Sequence, residues 1–313
     1  MRIKQAFATG LLALTPALTG CLTHTRTVPK THPPDVVLNA SLDQLLKQTE
    51  DRYDAIQSMT LTVQISTSTG GSTQGQVKDS ISFNGYIVIG KPEQIRVILQ
   101  LPIVRSEALN MVSDGNTFKM LIRPKNCAIV GSDVVTNRSQ KGLYSLRPSV
   151  ILDPLLIQGL KPDQVISMTQ DSRIIVNPKK TKDLIEEPDY DIEFLSEPRE
   201  HVARSLRVVH VSRANLMPWR QDIYNAEGKV ETQAIYSNYR KFGDINFPTR
   251  IVIQRPLDEL GLTITVSKAA FNQKLESDQF KLDIPPDITV TNMDDPASAA
   301  IAPCGSHATQ SPH

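Results

Sequence analysis

The chain has 313 residues, with 34 Lys and Arg against 33 Asp and Glu. So even a balance leaves no electrostatic footprint for nucleic acid or for acidic membrane surfaces. The length allows one large or two small domains.

The first segment in chain order is an export signal. Arg2 and Lys4 precede a mostly apolar run from Ala6 to Thr19, shorter than the roughly 18 to 20 residues a spanning helix requires. The run ends in Leu18-Thr19-Gly20-Cys21, which resembles the lipobox of bacterial lipoproteins. The resemblance implies cleavage before Cys21, a diacylglyceryl thioether on its sulfur, and anchoring by acyl chains at roughly 0.8 kcal/mol per buried methylene. Leu22 stands where an inner-membrane retention aspartate would be. This implies an outer-membrane location facing the periplasm. On this reading residues 1–20 are signal peptide and 21–38 are a proline-dotted tether. Residues 39–287 form the folded domain, and 288–313 are a Pro-, Ala- and Asp-rich tail without structure.

A helical period follows the tether. Leu42, Leu45, Leu46, Tyr53 and Ile56 share one face, with Ser41 or Asn39 placed to cap, predicting a helix of about 16 residues. The period then falls to two. Met59, Leu61, Val63 and Ile65 alternate with polar residues, and so do Ile81, Phe83, Gly85, Ile87 and Ile89. "STGGSTQGQ" between them reads as a loop. Ile95, Val97, Leu99 and Leu101 face one way in the next strand, "LPIVRSE" breaks the pattern, and "EALNMV" resumes it. Ser113-Asp114-Gly115 turns the chain into "NTFKMLIR", and "KNCAIVG" follows. These are five or six antiparallel strands in meander order.

"RPSVILDPLLIQGLKP" predicts a short helix kinked at Pro154 and ending near Gly159. Seven further strand signals run from "RIIVN" to "QFKLDIP", including a hairpin over Ala226-Glu227-Gly228. The fold class is mainly β (α+β). It is an incomplete antiparallel β-barrel of about 11 strands with helices plugging its open side.

No catalytic constellation emerges. His24, His32, His307 and His313 lie in the tether or tail, and His201 and His210 have no metal-ligand spacing with Cys or carboxylate pairs. The acids of "IEEPDYDIE" fit an alternating strand face, and Trp219 fits a strand edge. No enzyme, metal or cofactor is expected. The oxidising compartment permits Cys127 and Cys304 to pair, although the strand around Cys127 favours an inert buried thiol. Several strands are apolar on both faces, such as Ile87-Val88-Ile89 and Ile251-Val252-Ile253. The second apolar face either packs on protein or lines a cavity for a lipid chain.

The stretch from Gly85 to Asn126 resembles the first sheet half of the LolA/LolB family, with Lys91-Pro92 and Ser113-Asp114-Gly115 at its recurrent turns. "PSVILDPLLIQGL" is similar to the family's internal helix, and the segment from Tyr236 to Pro285 to its closing hairpins. The resemblance spans roughly 40–285 and is closest to the lipid-anchored LolB-type branch. It implies non-covalent binding of lipoprotein or lipid acyl chains and a soluble periplasmic carrier as partner. By alternation the cavity-lining candidates are Ile87, Ile89, Val97, Leu99, Leu109, Met111, Phe118 and Met120. Leu101, Pro102, Ile103 and Val104 stand where LolB-type proteins expose an apolar residue that passes chains to the membrane, and Ile103 takes that role. Extra length at 68–78, 178–188 and the tail departs from the family. A second reading keeps the half-barrel but makes it a docking or sensor lipoprotein with a filled interior.

The lipobox reading predicts that Cys21→Ser accumulates as an unacylated, uncleaved precursor in whole-cell fractions. A normally processed, membrane-retained Cys21→Ser chain contradicts it.

Overall fold

The computed structural model describes residues 26–71, 73–133, 147–295 and 304; Cys21 and the signal sequence lie outside them. Two compact units are present. The smaller comprises residues up to Pro34 together with Ile174–Glu187. In it β1 (Thr31–His32) runs parallel to Leu184–Ile185, and Thr31 Oγ1 donates to Glu186 Oε2 at 3.3 Å. This short strand lies within the stretch read as tether. The reading also ends too late in the chain, since Leu38 N donates to Arg213 O at 2.7 Å within the larger unit.

The larger unit, Asp35–Arg173 and Pro188 onward, holds the helices and most of the sheet. Helix α1 is Leu42–Asp54. Its start follows from Ser41, whose Oγ accepts from Gln44 N while Gln44 Oε1 accepts from Ser41 N, a reciprocal cap satisfying two otherwise unpaired donors. The helix, at 13 residues, is shorter than its periodicity, and Ile56 is buried two residues beyond the helical end.

The first meander is β2 (Ser58–Gly71), β3 (Gln76–Asp79), β4 (Phe83–Gly90), β5 (Gln94–Gln100), β6 (Glu107–Ser113), β7 (Thr117–Ile122) and β8 (Cys127–Ser132). Helix α2 (Ser149–Leu155) carries Pro154 in its last turn. After it come β9 (Gln164–Val176), β10 (Leu184–Ser196), β11 (Ser205–Ser212), β12 (Pro218–Tyr224), β13 (Val230–Phe242), β14 (Ile245–Arg255), β15 (Leu260–Phe271) and β16 (Thr289–Asn292). The spatial order is β10-β11-β12-β13-β14-β15-β2-β4-β5-β6-β7-β8-β16, with β3 on β2 and β9 on β10. This is a curled sheet that never closes on itself, an incomplete barrel with two α-helices. The helices and the sheet's apolar side chains meet on one face. Val150, Ile151, Leu152 and Leu155 of α2 pack with alternate residues of the first meander and of β13 to β15. Leu45 of α1 packs with Tyr190, Ile192, Phe194, Val209 and Val211.

Sixteen strands exceed the sequence estimate for identifiable reasons. "STGGSTQGQ" is not a loop: β2 continues to Gly71, and β3 pairs back from Ser68↔Asp79 to Gly71↔Gln76. Its side chains are Ser, Thr and Gln, so no apolar alternation announced the hairpin. The tail read as lacking structure contains β16, which runs parallel to β8 from Thr289↔Cys127 to Asn292↔Val130. Asp294 Oδ2 then accepts from Ser132 N at 2.6 Å, and Cys304 is disulfide-bonded to Cys127. The inert-thiol expectation for Cys127 therefore fails. Cys127 is buried as expected, but the strand docked beside it brings Cys304 to a Cα separation of 5.6 Å, within disulfide reach.

The joint between β4 and β5 admits no side chain at Gly85. A Cβ there would sit 2.0 Å from the Ile98 carbonyl oxygen, a backbone atom held in the neighbouring strand. Gly85→Ala is expected to cost about 3 kcal/mol, read as a lowered urea midpoint. An unchanged midpoint would mean these strands separate freely.

Candidate functional site

The sheet face that carries the helices is filled over its first half. Ile87, Ile89, Val97, Met111, Phe118 and Met120 are buried, and Leu99 and Leu109 pack against them. The face holding these eight residues is thus the buried one, a choice that alternation alone leaves open. These eight side chains interlock with α2 rather than bordering an opening.

The opening lies farther along, over β13 and β14. A cavity of about 360 Å³ is walled by the C-terminal half of α1, the end of α2, Met217, Pro218 and the β13–β14 turn. None of the eight expected side chains lines it. The cause is coverage: α2 has seven residues and β13 has 13, so the short helix leaves the far part of the long strand uncovered. Tyr53, Ile56, Leu155, Ile157 and Phe247 contribute apolar walls. Lys91, at one of the turns singled out in the sequence, lies over the Tyr53 ring at 3.4 Å and donates to the Tyr53 carbonyl. The turn thereby holds the end of α1 over the cavity.

Polar groups also line it, among them Asp51, Arg52, Asp244 and two tyrosines. Tyr239 Oη donates to Pro218 O at 2.7 Å. Tyr236 is 4% exposed, and its hydroxyl has no hydrogen-bond partner among the described residues. Burial raises both phenols, so both stay protonated. They reach one cavity from positions three apart in a strand, where strict alternation puts such residues on opposite faces. Asn238 between them has φ 56°, a left-handed conformation that asparagine tolerates and that interrupts the pleat. An asparagine inside "YSNY" was the sequence signal available for this. At the rim, Arg52 Nη2 donates to Leu216 O at 2.8 Å, and burial lowers the guanidinium pKa.

The tip of the β5–β6 hairpin is the other apolar feature. Leu101 N donates to Ser106 O and Arg105 N to Leu101 O, closing a tight loop in which Arg105 has φ 52°. Pro102 is exposed, Ile103 is 93% exposed and Val104 69% exposed, while Leu101 is half-buried at the base. Ile103 is thus presented to solvent and packs into no core.

A polar cluster occupies the opposite face of β10 to β12. His210 Nδ1 lies 2.6 Å from Asp191 Oδ1, and Nε2 lies 3.4 Å from Asp222 Oδ2. Arg220 grips Asp222 with Nε at 2.8 Å and Nη2 at 2.5 Å. Trp219 Nε1 donates to Asp189 Oδ2 at 3.0 Å, and the Arg173 guanidinium stacks on the Trp219 ring at 3.8 Å. The acids of "IEEPDYDIE" do alternate along one strand face, as expected. Linear spacing hid their meeting with His210, because Asp191 and His210 are cross-strand partners. His201, by contrast, is exposed in the loop before β11.

No family model matches the chain, and no curated protein sequence does. Solved structures of similar arrangement include a LolA superfamily protein from Nitrosomonas europaea, at 14% identity and a TM-score of 0.48 over 78% of this chain and 99% of that one. A DUF1329 family protein from Desulfovibrio piger gives 16% and 0.48 over 76% and 94%. A Vibrio parahaemolyticus domain named for outer membrane lipoprotein sorting gives 8% and 0.43 over 76% and 94%. Likenesses this distant carry no functional weight; the cavity and the exposed tip do.

The polar cluster has a defined pH response. Burial pulls the His210 pKa down, but the hydrogen bonds and charges of Asp191 and Asp222 outweigh it and raise the pKa to about 9, above the ordinary 6.5. A raised histidine contributes stability that is complete below pH 6.5 and lost as pH rises through 9. The chain is therefore expected to lose stability between pH 6.5 and 9.5 in urea titrations, and His210→Gln is expected to remove that component. An NMR titration placing the His210 ring near its ordinary value would refute this.

Proposed function

We propose that the chain binds acyl chains of lipids or lipoproteins non-covalently in the cavity over β13 and β14, and receives or handles them at the periplasmic face of the outer membrane. One observation carries this reading: an apolar cavity of about 360 Å³ opens between two short helices and the sheet, within the size range of small-molecule sites. Each methylene moved from water into such a site contributes roughly 0.8 kcal/mol. Transfer in or out then needs no bond made or broken, and relative affinity sets its direction. Tyr236 lines the cavity, and its buried hydroxyl, without a hydrogen-bond partner among the described residues, is a donor for the carbonyl of an ester- or amide-linked chain that reaches it.

The exposed Ile103-Val104 tip supports the delivery half of the proposal. An apolar pair on a closed hairpin tip inserts into a bilayer at little conformational cost, because the loop is already formed. Lipidation at Cys21 would keep that tip near the membrane, with a soluble carrier bringing the cargo.

Native mass spectrometry of the full chain, purified without added lipid, tests the proposal. Co-purifying acylated peptide or phospholipid is the expected result. A clean apo mass together with no uptake of a fluorescent acyl probe would sink it. Tyr236→Phe should weaken probe binding about fivefold, the loss of one hydrogen bond of about 1 kcal/mol. Ile103→Glu should leave probe affinity unchanged and slow transfer to vesicles.

A further inference from the structure

Three side chains on the outer face of β10 and β11 are arranged as metal ligands. One ligand atom from each of Asp189, Asp191 and His210 lies within 4.8 Å of the other two. Proximity of acids alone would not be enough, but Asp189 adds an independent observation. It is 3% exposed, its Oδ2 accepts from the Trp219 N–H, and its Oδ1 is buried with no partner among the described residues. A buried carboxylate oxygen left unpaired beside a second carboxylate is destabilising unless something positive completes it.

The supporting groups have the arrangement a bound ion requires. With His210 Nδ1 turned toward the acids, the opposite ring nitrogen faces Asp222 at 3.4 Å, and Arg220 fixes that carboxylate. A ligating imidazole characteristically gives its second N–H to a carboxylate in this way, which sets the tautomer and the ring orientation. Charge agrees as well. Asp189, Asp191 and Asp222 carry three negative charges against the positive charges of Arg220 and the His210 imidazolium; a divalent cation that displaces the imidazolium proton on binding meets two net negative charges. Asp171 adds negative potential at Asp189, and the Arg173 guanidinium stacks on Trp219.

The geometry points to a divalent transition-metal site, with Zn²⁺ as its ion, held by Asp189, Asp191 and His210 and oriented through Asp222. One imidazole and two carboxylates match zinc ligand chemistry, whereas calcium takes six to eight oxygens. Three protein ligands leave a fourth position for water or an external donor group. Asp191 and His210 are partly exposed, so the ion has a route in.

The test is zinc titration of the full chain after removal of metal by a chelator, with ZnCl₂ as the probe. The expected result is one Zn²⁺ per chain. Asp189→Asn should weaken it about 100-fold and Asp222→Asn about tenfold, since Asp222 acts only through the imidazole. Circular dichroism checks that each variant folds. X-ray absorption at the zinc edge of the unmodified chain, which needs no variant, should show nitrogen and oxygen ligands including one imidazole. Failure to bind one equivalent, equal affinity in a folded Asp189→Asn chain, or zinc–sulfur scattering would each overturn the assignment.

Discussion

The pairing of β15 with β2 is the joint on which the rest of the molecule depends. Eleven residue pairs, from Leu260↔Thr69 to Phe271↔Met59, join the last long strand to the first. Without them the chain is two separate meanders, each with an uncovered apolar face and an open edge. With them, Ile65 and Ile264 stand side by side, and a single face runs from β8 to β10. Such a contact closes only after most of the chain is in place, so the entropy of the long connection is offset by burial along the whole joint.

That continuous face explains why the cavity is where it is. Two helices of 13 and seven residues must cover a sheet whose longest strands have 13 or 14. Over β4 to β7 the coverage is complete and the interior interlocks. Over β13 and β14 it runs out, and the gap is lined by aromatic side chains that cannot fill it. A mostly apolar opening of this kind favours apolar over polar occupants. The molecule's function, on this reading, follows from incomplete packing placed at one site.

The outer face of the sheet works by the opposite principle. Around Asp189, His210 and Asp222 buried polar atoms are held by one another and by Trp219 and Arg220. The network is tolerated because nearly every donor has a charged acceptor. Among the described residues Asp189 Oδ1 has no partner, which marks where the network is incomplete. One sheet thus presents an apolar opening on one side and a charged cluster on the other.

Period-two alternation needs only local sequence, and it grouped the residues of β2, β4 and β5 that share the buried face; which of the two faces is buried was decided by the helices. The Ser41 cap and the exposed hairpin tip at Ile103 were legible for the same reason, since each depends on residues a few positions apart. By contrast, the helix expected to be interrupted at Pro154 and to end near Gly159 runs through Pro154 and ends at Leu155. The resemblance of Leu18-Thr19-Gly20-Cys21 to a lipobox is likewise local, and it lies outside the described residues. What depends on strands meeting across long stretches of chain was decided by the tertiary structure alone. The docking of β16 joined Cys127 to Cys304, and helix coverage moved the opening from Ile87 and its neighbours to Tyr236 and Tyr239. Cross-strand register set Asp191 against His210. Alternation along a strand says which way a side chain points; only the neighbouring strand and the covering helix say what it meets there.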